Sequence, residues 1–562
     1  MKLIEYTSRI LAVGLILILA SCSGDWLDIN NDPNNPVEPD LELLVPSMQG
    51  GLVNALVDRY DHLAPLGHNL EAGISRYALT TDGGFDLGFE EIYVDALINA
   101  ERVIADAPNQ DPPLPVYSGI AKMIKAYSFA FLIDMYGTVP YEEALLGAEG
   151  PLSPTYEEGG QVYDKVLELI DSGLADLAQG GVAPSNDIIF QGDAERWIKF
   201  GNTLKMKLLL NTRLVDENRA RTGINSILSA GQIMSDNGDD ADFFFGSGIT
   251  PENRHRLHQT HYQGAKTFYM SNYMMHTMYE KYSIVDPRMR YYFYRQVDEF
   301  DPSSPKLVAD DFPCFGYGAV HTDESTWTGT CAYGYLGDGY IGRDHGDNTG
   351  TPNDGGSRTT FGIYPIGGLF DDDTYKTVTQ SDGSGAGFYP LLTNFMARFM
   401  EAEAQLTLNN DESAARAALE AGVRASVSKV MNFGAGNASN FDPELAPTSA
   451  DVDAFVADVL VAYDGASGTE DKLNIIMEQW QIANFGNNSE SWVNLRRTKL
   501  PFVLPANNAS ARMSIVPANT YPRRLPFVAS EISTNTTLPD ANEVVFFQTP
   551  IFWDTTPYPV RF

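Results

Sequence analysis

Residues 117–141 read YSGIAKMIKAYSFAFLIDMYGTVPY, and this stretch decides the fold class. Ile120, Met123, Ile124, Tyr127 and Phe131 recur at steps of three and four, which places one apolar stripe on an α-helix. Ala121, Ala126 and Ala130 are small enough to let a second helix come close. Gly137 supplies the stop, before Pro140. The pattern recurs on both sides. Val162, Val166, Leu169, Ile170 and Leu177 form a stripe over 161–177. Asp193 is an N-cap for a helix on which Trp197, Phe200, Leu204 and Leu208 share a face. Phe395, Met396, Phe399 and Leu406 mark another. Asp411 caps a helix carrying Ala415, Leu419 and Val423, and Leu473, Ile476, Trp480 and Ala483 mark one more. Paired helices with small residues at their contacts predict a mainly α helical-repeat scaffold, though no strict repeat period is visible.

Between about 236 and 390 the periodicity fades and Gly, Asp, Pro and Tyr dominate. This stretch reads as long loops and short strands mounted on two helical blocks, about 41–235 and 391–500. The last 60 residues are Pro-rich and extended. The chain of 562 residues is 43% hydrophobic, enough for a large core. Aromatics reach 11%, many of them among Gly, Asp and Asn, a placement that suggests a surface for stacking. The formal net charge of −36 repels phosphate backbones and anionic lipid headgroups, so nucleic acid is excluded as a partner.

The first 21 residues read as a signal peptide. Lys2 and Arg9 precede the apolar run Ile10–Ala20, which is too short for a membrane span of roughly 20 residues. Leu19-Ala20-Ser21-Cys22 resembles the bacterial lipobox, which implies cleavage before Cys22 and acylation of that cysteine. Several acyl chains at about 0.8 kcal/mol per buried CH₂ would anchor the chain on a membrane rather than through it. Residues 22–40, rich in Asn and Pro, are the tether, and 41–562 form one domain. The other two cysteines, Cys314 and Cys331, can pair in an oxidising compartment, closing a loop worth about 3 kcal/mol in the chain-entropy picture. The alternative is two free buried thiols.

Several segments together resemble the SusD/RagB family of outer-membrane lipoproteins. They are Leu27-Asp28-Ile29-Asn30 with Asp32-Pro33-Asn34, Asp134-Met135-Tyr136-Gly137-Thr138-Val139-Pro140-Tyr141, and Trp197 through Lys205. Glu401-Ala402-Glu403-Ala404, Gln479-Trp480, Ser491 through Thr498 and Pro522-Arg523-Arg524-Leu525 complete the set, in family order. Phe527 stands where a Tyr is common. The resemblance implies tetratricopeptide-like helix pairs with a loop-rich, partly β ligand-binding region. It also implies an outer-membrane lid that faces the exterior, captures oligosaccharide and delivers it to a SusC-like TonB-dependent barrel, with no catalysis of its own. RagB-like members bind peptides instead. The motif residues themselves read as structural: Trp480 and Trp492 as core, and Arg496, Arg497, Arg523 and Arg524 as caps or partners of Glu401 and Glu403.

Sugar recognition needs flat aromatic faces for the C–H side of a ring and planar polar groups for the hydroxyls. The stretch 312–345 offers both: Tyr317, Trp327, Tyr333 and Tyr340 among glycines, followed by Arg343 and Asp344. A Cys314–Cys331 bridge would stiffen it and lower the ordering cost of binding. Trp327 is the expected main stacker. Family members combine a mid-chain loop with an early one, which adds Tyr77, Asp82 and Phe85; Arg358 and Tyr389 are further candidates. Any single ring in this set either faces ligand or packs inward.

No cofactor or metal is expected, although the oxygen-rich run Asp344–Gly356 makes calcium a candidate. Its spacing departs from an EF-hand loop, and turn chemistry accounts for the composition. Asp371-Asp372-Asp373 reads as a solvated turn, and His255, His258 and His261 as surface histidines. A glycoside hydrolase would need two carboxylates at a defined separation, and the 74 acidic residues single out no pair. No nucleophile-elbow, zincin, Walker or dinucleotide motif is present. The lipid anchor gives the first test: labelled fatty acid should enter the wild-type protein in cells and be absent from Cys22→Ala, which should be released from the membrane fraction.

Overall fold

In the computed structural model, the residues described are 40–58, 60–72, 86–263, 268–298, 333, 336–344, 355–501, 522–539 and 548–555. The periodic segments are helices. In chain order these are α1 (Leu41–Asp58), α2 (Tyr60–Leu66), α3 (Asp86–Glu91), α4 (Ile98–Asp106), α5 (Pro115–Tyr136), α6 (Gly159–Leu177), α7 (Ala194–Asn211) and α8 (Glu217–Ala230). After α9 (Asn272–Tyr279) the second block follows: α10 (Asn394–Thr407), α11 (Glu412–Asn437), α12 (Ser449–Gly465), α13 (Thr469–Ala483) and α14 (Asn488–Thr498). The expected caps are in place. Asp193 accepts from the backbone N–H groups of Glu195 and Arg196, and Asp411 from that of Ala414. Gly137 ends α5 at φ 80°, in the positive-φ region that favours glycine.

The helices pack as antiparallel pairs in the expected tetratricopeptide-like arrangement, with α5 against α6 and α10 against α11 as the most extensive. Close approach in the first pair depends on Gly119 and Gly173. A Cβ on Gly119 would stand 2.6 Å from Leu177, and one on Gly173 would stand 2.5 Å from Met123. α5 is apolar and long enough to cross a membrane, but it is the central buried helix of this scaffold. Trp197, Trp480 and Trp492 lie in the same large core, as the sequence suggests for Trp480 and Trp492.

The insert leaves and returns at one seam. Strand β4 (Ala241–Phe244) pairs antiparallel with β8 (Phe388–Leu392), so the two ends of the 236–390 region are hydrogen-bonded to each other. Inside it, β6 (Phe293–Tyr294) pairs with β7 (Thr360–Phe361), and β1 (Leu70–Ala72) of the first helical block pairs with β5 (Phe268–Met270). Near the first block, β2 (Thr138–Pro140) pairs with β3 (Tyr156–Glu158).

The insert has its own core, and that core is aromatic. Tyr291, Tyr292, Phe293, Tyr294, Phe361, Tyr364 and Phe388 are all enclosed there. Tyr292 stacks on Phe485 of the second block at 4.4 Å between centroids. Much of the aromatic content that suggests a stacking surface is therefore internal. Two further sequence readings are corrected. His255, His258 and His261 are buried, His258 stacking on Tyr262 at 4.7 Å, because apolar neighbours in the insert enclose them. Asp371 is also buried: Arg295, 76 positions upstream, donates to it at 2.7 Å, and Arg290 and Arg295 both pair with Asp373.

The two helical blocks are cross-linked by buried charge. Glu403 of α10 is fully enclosed and accepts from Arg213 at 2.8 Å and from both terminal nitrogens of Arg497 in α14. Burial alone would raise the Glu403 pKa, but Arg497 and Arg213 outweigh it and hold the carboxyl below the ordinary carboxylate range. Its stabilisation is thus complete at neutral pH and is lost as acid protonates it. Glu403→Gln, which removes the charge that offsets buried Arg497 and half-buried Arg213, should cost about 3–5 kcal/mol in denaturant unfolding at pH 7. The gap between variant and wild type should narrow as the pH falls below 4.

Candidate functional site

The geometry that gathers the predicted binding region begins at β1 and β5. β1 ends at Ala72, where the early segment containing Tyr77, Asp82 and Phe85 begins. Its partner β5 is bonded in turn to the end of the mid-chain segment: the Arg343 N–H donates to Met270 O at 3.0 Å, and the Asn272 N–H to Arg343 O at 2.8 Å. The stems of the two segments that the sequence nominates therefore meet at β5, one as its strand partner and the other through an isolated bridge at Arg343. Tyr77, Asp82, Phe85, Tyr317 and Trp327 lie outside the described residues, as do Cys22, Cys314, Cys331 and most of the oxygen-rich run 345–356.

The remaining candidates form the frame of this seam. The guanidiniums of Arg343 and Arg358 both lie over the Tyr269 ring, at 4.2 and 4.0 Å from its centroid. Arg343 also donates to the Tyr269 hydroxyl at 3.3 Å, and Arg358 to Phe268 O at 3.2 Å. Asp344 accepts from the Asn272 side chain at 2.9 Å and from the Tyr333 N–H at 3.1 Å. The Tyr333 ring packs edge-on against Tyr273 and beside His276. Tyr340 lies under Arg295 at 4.9 Å and beside Tyr279 at 5.5 Å. Burial drives the Tyr340 hydroxyl pKa well above its ordinary value, so it stays a neutral donor at any physiological pH.

All five of these residues are buried. Their rings and charges fix one another, so they position the segments that emerge beside them. Tyr389 stands apart. It lies in β8, its hydroxyl donating to Asn487 at 3.3 Å, and only 2% of it is exposed, so it offers no stacking face. The sequence candidates thus divide into a buried frame (Tyr333, Tyr340, Arg343, Asp344, Arg358), one core residue and five that fall outside the description.

The sequence reading misses an open groove of about 870 Å³. Asn54 and Val57 of α1 and Glu91 of α3 form one wall, and Phe243–Phe245 with parts of 252–260 form the other. In chain order α1 is followed by α2 and β1, whose strand partner is β5. The signal was Phe243-Phe244-Phe245 followed by Gly246-Ser247-Gly248, a triple aromatic set against a glycine turn. Among the described residues, no group of three or more His, Cys, Asp or Glu side chains is placed to hold a metal ion.

Comparison with known proteins agrees with this architecture. Residues 34–309 match a family model described as starch-binding and associating with the outer membrane, and 371–554 match one for SusD and RagB outer membrane lipoproteins. A SusD homolog from Bacteroides uniformis superposes with a TM-score of 0.64 at 19% identity, over 93% of this chain and 99% of that one. A SusD/RagB family protein from Bacteroides thetaiotaomicron gives 0.66 at 16%, over 93% and 100%. A chitin-binding SusD homolog from Flavobacterium johnsoniae gives 0.58 at 18%, over 92% and 97%. No curated protein matches the sequence. With both family models matched in chain order and the same fold shared nearly end to end, the chain belongs to the SusD/RagB family of outer-membrane proteins.

Proposed function

We propose that this protein is a non-catalytic surface receptor, anchored through Cys22, that captures neutral oligosaccharide and passes it to a SusC-like TonB-dependent barrel in the same membrane. The observation that carries the reading is the β1–β5 seam, where the stems of an early and a mid-chain segment meet on one rigid frame. Both segments hold the residue types that sugar recognition needs, with Trp327 and Tyr317 on one and Tyr77, Asp82 and Phe85 on the other. A frame fixed in advance lowers the entropy lost when a flexible glycan binds. The net charge of −36 suits a neutral ligand better than an anionic one. Family members described as starch-binding, and two chitin-binding proteins of like fold, lend the carbohydrate class further support. Calcium bound within 344–356 remains part of the proposal only as a stiffener of that run.

The test is a titration panel of N-acetylglucosamine, glucose and fructose oligomers together with unrelated peptides. At least one oligosaccharide should bind, with no new reducing ends released. Trp327→Ala should weaken that binding about tenfold, a loss of about 1.4 kcal/mol. A tagged wild-type chain should bring the barrel with it from solubilised outer membranes. Peptide binding without sugar binding would overturn the glycan assignment in favour of a RagB-like one, and sugar release would overturn the non-catalytic one.

A further inference from the structure

The groove between α1 and Phe243–Thr260 has no part in the frame just described, yet its lining is unusual for an idle surface. Phe244 is 65% exposed at the end of β4, an uncommon place to leave a large ring in water. Phe243 and Phe245 alternate to the other side of the strand, their half-buried rings meeting edge-on at 5.2 Å, while the Phe244 ring lies 5.7 Å from that of Phe388. All three line a cleft whose volume is typical of small-molecule sites.

The opposite side of the cleft is polar and rigid. Arg254 is clamped by Glu252 through two parallel bonds, 2.8 Å from Nε to Oε1 and 2.7 Å from Nη2 to Oε2. Asn253 is stitched into its own turn: its Oδ1 accepts from the Gly248 N–H at 2.7 Å, its N–H donates to Gly248 O at 3.0 Å, and its O accepts from the Gly246 N–H at 2.9 Å. Gln259 donates to Arg254 O at 3.2 Å. His255 packs on the Phe245 ring at 4.7 Å and its N–H donates to Gly385 O, which ties the groove wall to the β8 side of the insert seam. Planar amides and a guanidinium are therefore held in fixed orientations beside the one exposed ring, that of Phe244.

Charge selects the class of occupant. The lining carries two arginines, Arg254 and Arg256, against two glutamates, Glu91 and Glu252. In a chain whose net charge is −36, this is a locally neutral patch. An anionic or cationic ligand finds no excess of opposite charge there. A neutral ligand with apolar C–H faces and a rim of hydroxyls fits both the exposed ring and the planar polar groups. The concavity and the polar wall argue against a flat protein–protein contact, whose centre is depleted in charge.

We propose that this groove is a second saccharide subsite, with Phe244 as its stacking face and Asn253 and Arg254 as hydroxyl partners, so that a longer glycan is held both here and at the β1–β5 seam. The proposal rests on the glycan-capture reading and adds where, and over what chain length, the glycan is gripped.

The experiment uses the full chain and two probe sets, the hexamers and dimers of N-acetylglucosamine and of glucose, titrated calorimetrically. Phe244→Ala should weaken the hexamer bound by the wild type at least fivefold while leaving the thermal midpoint unchanged, because the ring is exposed. Phe244→Trp, a larger flat face, should restore or exceed wild-type affinity. Wild-type hexamer affinity in Phe244→Ala would overturn the subsite alone, as would a Trp variant no better than the Ala one. Loss of barrel co-purification with sugar affinity intact would reassign the groove to a protein interface. A wild type that binds neither hexamer nor any other sugar would overturn the parent reading and the subsite together.

Discussion

The structure hinges on a lysine buried between helices that are far apart in sequence. Lys207 of α7 holds its ammonium 2.6 Å from Glu490 of α14 and 3.7 Å from Asp134 of α5. Burial would drive the proton off Lys207, but the two carboxylates outweigh that cost and keep it charged. The rest of Asp134 is spent on the same junction: Tyr163 donates to it at 3.0 Å and Trp553 at 2.8 Å. Arg496 lies on the Trp492 ring at 3.8 Å and donates to Asp134 O at 2.7 Å and Arg523 O at 2.9 Å. Asp554 then accepts from Arg523 and Lys499. A buried ion left alone is expensive, so each of these groups tolerates only a geometry in which its partners are present. That requirement fixes how the two helical blocks face each other, and with them the ends of the insert.

The same junction explains why the family-like motifs look as they do. Asp134-Met135-Tyr136-Gly137, Lys207 just beyond the Trp197–Lys205 motif, Ser491–Thr498 and Pro522–Leu525 are separated by tens to hundreds of positions, yet Asp134, Lys207, Arg496 and Arg523 meet at one buried network. They read as structural in the sequence, and the contacts give the reason: they are the polar groups that let distant helices close without leaving charge unpaired. The insert is then anchored from below by β4–β8 and by Phe485, which reaches from the second block into its aromatic core. A region of weak periodicity is thereby held on a rigid base.

What was legible in the sequence follows the range of the interactions involved. Helices such as 115–136 and their caps at Asp193, Asp411 and Gly137 depend on neighbours within a few residues, so spacing alone revealed them. Asp371 could not be read correctly, because its partner Arg295 lies 76 positions away and an Asp run looks the same in a turn as in an ion-pair network. The aromatic content was ambiguous for a similar reason. Tyr292 in a second core and Phe244 in an open groove sit in equally irregular surroundings, and only packing separates them. The frame residues Tyr333, Tyr340, Arg343, Asp344 and Arg358 were found by residue type, but their role as buried supports needed the contacts to Tyr269, Asn272 and Arg295.

That division between frame and face bears on how such a protein captures a polymer. A glycan offers weak, repeated contacts, so affinity must come from several shallow grips whose spacing does not drift. Two guanidiniums over Tyr269 and the Asp344 bridge to Asn272 and Tyr333 consume polar capacity internally. They add nothing directly to ligand contact, yet they hold the seam rigid. Under the proposed two-site capture, rigidity of that kind lets the second contact form at high effective concentration once the first has formed.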